Sequence, residues 1–102
     1  MVQLLEQKRA ALIELCDRFG VSRLDVFGSA LRDDFRPAQS DLDLLVEFRP
    51  MDPYELTEAY FGLLGEIRTL LGLEIDLVVA GAVKNRFIAA DIERTKQEFY
   101  AA

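Results

Sequence analysis

Residues 24–48 read LDVFGSALRDDFRPAQSDLDLLVEF and hold the residue types that could do chemistry. Asp41 and Asp43 enter an apolar run, Leu44 to Val46. Residues i and i+2 of a strand share a face, ~6–7 Å apart. Two carboxylates so placed suit a hard divalent cation such as Mg²⁺. Twelve residues before Asp41 stands Ser29, and Gly28-Ser29 closes another apolar run, Leu24 to Phe27. A Gly-Ser turn between a strand end and a helix offers unpaired backbone N–H groups to a phosphate. A phosphate cradle beside an acid pair points to metal-assisted chemistry on a nucleoside triphosphate.

A further acid, Asp76, lies inside another strand-like run, EIDLVV at residues 74–79. Aspartate is disfavoured in strands and costly to bury without a partner. Each of the three therefore needs a reason. One is a solvated strand end, or pairing with Arg32, Arg36 or Lys84. The other is a shared site, in which strand three lies beside strand two and adds Asp76 to Asp41 and Asp43. Clustered carboxylates repel at low dielectric, and a divalent ion relieves the repulsion. Two ions ~3.5–4 Å apart would activate an attacking oxygen and stabilise a leaving pyrophosphate. Asp41 and Asp43 would hold one with the triphosphate, and all three acids the second. Asp76 would then lie nearest the attacking hydroxyl, as ligand and base. Gly28 lets a triphosphate approach closely, and Ser29 adds a hydroxyl and an N–H. Arg32, one helical turn on, reaches either the phosphates or a surface carboxylate.

The chain must position these residues with 102 amino acids, 51% of them hydrophobic, which is the size of one domain, residues 1–102. It has no histidine, so His-based triads and His-ligated metals are excluded. The single cysteine, Cys16, forms no internal bridge and fits an apolar helix stripe. The net charge of −6 argues against duplex nucleic acid as a partner. No signal peptide and no apolar run of ~20 residues is visible, so the expected location is cytoplasmic, away from membranes.

Hydrophobic periodicity predicts a helix over 2–18 ended by Gly20, a strand over 22–28, and helical turns at 29–32. A loop over 33–40 follows, then a strand over 42–48 whose near-continuous apolar run suggests cover on both faces. A helix over 54–71 comes next, in which Gly62 and Gly65 suit close packing on the sheet. A strand over 74–79 and a helix over 83–99 complete the order, the last helix having Phe87, Ile88, Ile92 and Phe99 as its main apolar members. The alternation predicts an α/β fold, a small mixed sheet packed with helices. Strands two and three can pair either way.

Gly28-Ser29-Ala30-Leu31-Arg32, then Ser40-Asp41-Leu42-Asp43-Leu44, then Asp76, resembles the minimal nucleotidyltransferases of the DNA polymerase β superfamily. The likeness runs from about residue 10 to about residue 98. It implies that Gly28 and Ser29 form the triphosphate turn, that Asp41 and Asp43 are paired metal ligands, and that Asp76 is the third carboxylate. Arg32 matches an arginine often found after the turn, while Asp33 replaces the glycine most frequent next. Short domains of this kind are similar to MntA-type antitoxins. That likeness implies transfer of AMP from ATP, with Mg²⁺, to a tyrosine of a HEPN-domain ribonuclease toxin in a hetero-oligomer. The competing expectation is a binding module that neutralises its partner by docking alone. Docking would use the first helix or the last, ending in Phe99 and Tyr100, although Phe99 equally fits a core. A transferase acting on tRNA ends or on a small-molecule hydroxyl lacks the second domain and basic face it would need.

Overall fold

The computed structural model of the chain describes residues 3–31 and 41–102, without the side chain of Ser29. The elements are α1 (Gln3–Gln7), α2 (Arg9–Arg18), β1 (Val21–Phe27), a 3₁₀ turn (Gly28–Leu31), β2 (Leu42–Phe48), α3 (Pro53–Leu71), β3 (Ile75–Val79), α4 (Arg86–Thr95) and β4 (Gln97–Ala101). The strands form one sheet in the order β3-β2-β1-β4. β1 runs antiparallel to β2 and β4, whereas β2 and β3 are parallel. The sheet is thus mixed, as the residue pattern predicts, and α3 is the crossover that parallel pairing requires.

Period-two alternation sorts the strands into two faces. Leu24, Val26, Leu42, Leu44, Val46, Ile75 and Leu77 are buried toward one side. There they join Leu5, Leu12, Leu15 and Cys16 of the first helices and Leu63 and Ile67 of α3 in a single core. Burial pushes the Cys16 thiol up to about 11, the mark of a packing residue rather than a nucleophile. The opposite face carries Asp25, Asp43, Leu45 and Asp76 and receives α4, whose Ile92 is buried. β2 is interior, as its sequence suggests, but its second face is covered only at Leu45: Asp43 is half-buried and Glu47 exposed.

Two expectations are corrected. The first helix is interrupted at Lys8, whose φ −104°, ψ 14° leaves helical geometry. Lys8 N–H still donates to Leu4 O at 3.1 Å, and Leu12 N–H to Lys8 O at 2.9 Å. The last helix does not span 83–99. It begins after Asn85, whose side chain accepts from Phe87 N–H and Ile88 N–H at 2.9 and 3.2 Å, an N-cap. It ends at Lys96 (ψ 149°), where the chain turns extended and supplies β4 to the open edge of β1. Phe99 is buried in the core from that strand, under the Arg9 guanidinium at 4.4 Å from its ring, so it is not an exposed anchor. Tyr100 is half-buried beside it. Phe87 and Ile88, two of the main apolar members of the expected helix, are 77% and 54% exposed. The spacing of Ile88, Ile92 and Phe99 imitates a helix stripe, and the ladder offered by β1 overrides it.

α3 is closed at both ends. Asp52 accepts from Tyr54 N–H and Glu55 N–H at 2.9 and 3.0 Å; these bonds, that of Glu55 foremost, hold its carboxyl below the usual range. The Tyr60 hydroxyl donates to Leu77 O at 2.5 Å and ties the helix to β3. Its two glycines differ. A Cβ on Gly62 would stand 2.6 Å from Phe19 Cε1, whereas one on Gly65 would meet nothing within 4 Å. Close packing therefore explains Gly62 alone. Gly65→Ala is expected to stabilise the protein by up to ~1 kcal/mol, and Gly62→Ala to give no such gain because Phe19 must shift. Paired urea melts measure both.

Candidate active site

The β2–β3 ladder places Asp43 directly opposite Asp76. Neighbouring strands lie ~4.8 Å apart, and register partners of a parallel pair point to the same face. Asp43 is half-buried and Asp76 exposed on that face. Asp41, also exposed, stands one residue before β2, where Leu42 N–H donates to Glu74 O at 3.0 Å and opens the ladder. The sheet thus sets the spacing of two of the three acids by backbone pairing, with no help from side-chain flexibility.

The antiparallel β1–β2 ladder does the same for the turn. Phe27 is the partner of Asp43, so the next residue, Gly28, arrives against the Asp43 side chain. Gly28 has φ +70°, a left-handed conformation that side chains resist. A Cβ built on it would overlap Asp43 Oδ2 and come within 3.0 Å of Asp43 Cγ. The glycine is required on two counts, backbone conformation and room for the carboxylate. Its physical role differs from the simplest expectation: the space a larger side chain would take is that of Asp43 itself. Ser29 follows within the 3₁₀ turn. Arg32 lies outside the described residues, as does the 33–40 loop.

The donors available here are carboxylate oxygens on a chain without histidine, a set matched to Mg²⁺ or Ca²⁺ rather than to softer metals. Among the described residues, no group of three or more acid or cysteine side chains is gathered tightly enough to hold an ion. The geometry therefore provides an aligned pair, Asp43 with Asp76, flanked by Asp41 and bounded by the glycine turn.

Asp25 is the charged residue of this face that pattern reading missed. It is 1% exposed. Arg23 Nε donates to its two carboxylate oxygens at 3.0 and 2.9 Å, and Lys96 Nζ lies at 3.5 Å. Asp25 holds the Arg23 guanidinium above its ordinary range. Glu93, and then Asp25, do the same for the Lys96 ammonium. Asp25 is thus fully engaged in fastening the α4–β4 junction to β1. The signal was present: an aspartate inside an apolar strand, two residues after an arginine and so on the same face.

A family model for the nucleotidyltransferase domain matches residues 8–99. A candidate protein adenylyltransferase of Methanocaldococcus jannaschii is 37% identical over 79 residues, 78% of this chain and 76% of that protein. The protein adenylyltransferase MntA of Thermococcus cleftensis is 39% identical over 72 residues, 71% of this chain and 69% of that protein. Among solved structures, a candidate minimal nucleotidyltransferase superposes with a TM-score of 0.77 at 32% identity, covering 93% of this chain and 92% of its own. A toxin–antitoxin complex solved with AMP-PNP has a chain of the same fold, with a TM-score of 0.67 at 17% identity over 92% of this chain and 73% of that one. The chain belongs to the nucleotidyltransferase domain family, as a minimal nucleotidyltransferase.

The contact between Gly28 and Asp43 is directly testable. Gly28→Ala is expected to destabilise the protein by at least ~1–2 kcal/mol, the cost of left-handed backbone with a Cβ. Asp43→Ala should recover part of the remainder by removing the overlapping carboxylate, while leaving the backbone strain. A double-mutant cycle in denaturant melts measures that coupling; additive effects would show that the two residues do not touch.

Proposed function

We propose that this protein transfers AMP from ATP, with Mg²⁺, to a hydroxyl of a protein partner. The observation that carries this reading is the seating of Gly28 against Asp43 while Asp76 aligns on Asp43's other flank. Phosphate turn, acid pair and third acid then form one row across β1, β2 and β3. The triphosphate lies on the Gly28-Ser29 turn, with backbone N–H groups toward its outer phosphates. Side-chain rotation at the exposed Asp41 and Asp76 would let them join Asp43 in holding one or two Mg²⁺ ions, and Arg32 would add a cation to the phosphates. Bound Mg²⁺ supplies charge neutralisation between the acids and the phosphates and Lewis-acid stabilisation of the departing pyrophosphate. The acceptor oxygen forms its bond to the α-phosphorus as the bond to pyrophosphate breaks, and Asp76 accepts the hydroxyl proton.

Asp76 is exposed, on the flank away from the turn. The acceptor therefore enters over β3, and the partner supplies the outer wall of its own site. The relatives named as protein adenylyltransferases support a protein acceptor. The fold is also that of an MNT antitoxin solved in complex with a tri-AMPylated HEPN toxin of Shewanella oneidensis, with a TM-score of 0.64 at 16% identity. We take the acceptor to be a tyrosine of a HEPN-domain toxin and the role to be that of its antitoxin, acting in the cytoplasm. Among the described residues no helix is long and apolar enough to cross a membrane.

The test mixes the toxin partner with wild type or with Asp41→Asn/Asp43→Asn, then separates the proteins. Enzymatic silencing leaves a partner that stays inactive and is heavier by one or more AMP groups, and substoichiometric wild type suffices. The double variant is expected to transfer nothing while remaining folded by circular dichroism, because asparagine keeps the shape and removes the charge a divalent ion needs. Neutralisation that needs one-to-one mixing, survives the double substitution and reverses on separation identifies docking instead.

A further inference from the structure

The outer face of α3 carries side chains that the fold itself does not use. Tyr54 is 79% exposed and Phe61 63%. Tyr54 stands seven residues before Phe61 and Arg68 seven after it, so the three share one face of the helix. Arg68 is exposed too, as are Glu58 and Gly65 on the same side. Gly65 is the glycine that packing within the chain leaves unexplained, since a Cβ there would meet nothing within 4 Å. The Phe61 ring is held edge-on against Tyr60, with 5.1 Å between centroids, and the Tyr60 hydroxyl is fastened to Leu77 O. Charge divides along this face. Between Arg49 and Arg68 the sequence has no lysine or arginine, and Asp52, Glu55 and Glu58 crowd the start of the helix. Asp52, through its hydrogen bond foremost, holds the Glu55 carboxyl above its ordinary range. The ion pairs among the described residues involve neither these three acids nor Arg68.

We propose that α3 is a contact between two copies of this chain, packed antiparallel about a two-fold axis at Phe61. A two-fold contact must be self-complementary, residue i meeting j while j meets i, and this face is. With Phe61 on the axis, residues before it meet residues equally far after it in the second copy. Tyr54 then faces the second copy's Arg68, a guanidinium over an aromatic ring, with Glu55 and Glu58 beside it. Glu58, three residues before the axis, faces Gly65, four after it, where the missing side chain lets the helices approach. The two Phe61 rings meet at the centre as the aromatic anchor. Antiparallel pairing also sets each acidic helix start against the other copy's basic end and opposes the two helix dipoles. Parallel pairing would set acid against acid. The occupant is a second copy because the face contains both halves of the contact. α3 covers the core side of the sheet, whereas Asp43 and Asp76 lie on the other, so pairing leaves both candidate sites open. The inference stands apart from the nucleotide reading and does not rest on it.

One helix pair buries less than the ~1,600 Å² of a standard interface, so the dimer is a reversible one. Sedimentation of the wild-type protein from about 10 μM to about 1 mM should show monomer passing to dimer. Phe61→Glu is expected to lower the association constant about tenfold or more. Gly65→Gln should do the same by crowding the contact, although its own chain leaves that space open. Circular dichroism establishes that both variants are folded, and Gly65→Gln decides alone if Phe61→Glu is not. The orientation is read by cross-linking. Cys16 is wholly buried, so thiols introduced on α3 report alone. Tyr54→Cys and Arg68→Cys proteins, mixed and oxidised with glutathione disulfide, are expected to link about tenfold faster than either alone. Like positions lie ~20 Å apart across the axis, beyond the reach of a disulfide. A monomer at every concentration, or a dimer that both Phe61→Glu and Gly65→Gln leave intact, overturns the proposal. Linkage fastest within each variant alone is the mark of parallel packing and overturns it as well.

Discussion

The β1–β2 register is the constraint on which the rest of the site depends. Pairing Phe27 with Asp43 delivers Gly28 to the one place where its missing Cβ is required. A slip of one residue would turn Asp43 into the core and Leu44 to solvent. The core forbids that slip, because Leu42, Leu44 and Val46 are all wholly buried. Hydrophobic packing on one face of the sheet thus fixes the chemistry on the other.

The same separation explains which features were legible in the sequence. Gly28-Ser29 and Asp41-x-Asp43 stand out because each breaks a local rule: a left-handed turn at a strand end, and charges in an apolar strand. Asp76 is visible for the same reason. The contact between Gly28 and Asp43 is not visible, because it depends on nonlocal pairing that no local pattern encodes. The parallel alignment of β2 and β3 was open for the same reason. β4 was hidden by coincidence of period: Phe99 follows Ile92 by seven residues, as a helix stripe would, yet it is buried from a strand. Asp25 was legible and overlooked, since its burial beside Arg23 follows from strand alternation.

Asp25 also shows how the sheet carries opposite electrostatic tasks on one face. Its carboxylate is compensated by Arg23 and Lys96, so it belongs to the scaffold. Two residues on, the chain reaches the Phe27–Asp43 pair, where the candidate site begins. Asp25 anchors the α4–β4 junction, and α4 forms the outer wall beside the turn. Breaking a buried pair leaves an uncompensated charge, and here the loss would reach the wall before it reached the acids.

The short β4 has a consequence for how this protein behaves among its copies. Without it, β1 would present a run of unpaired N–H and C=O groups ready to template another strand. β4 occupies that edge and moves the open ladder outward onto a five-residue strand beginning with the exposed Gln97 and Glu98. A short rim bearing charge is a poor template for further strand addition. The rim is therefore a poorer template for self-association than an uncovered β1 would be.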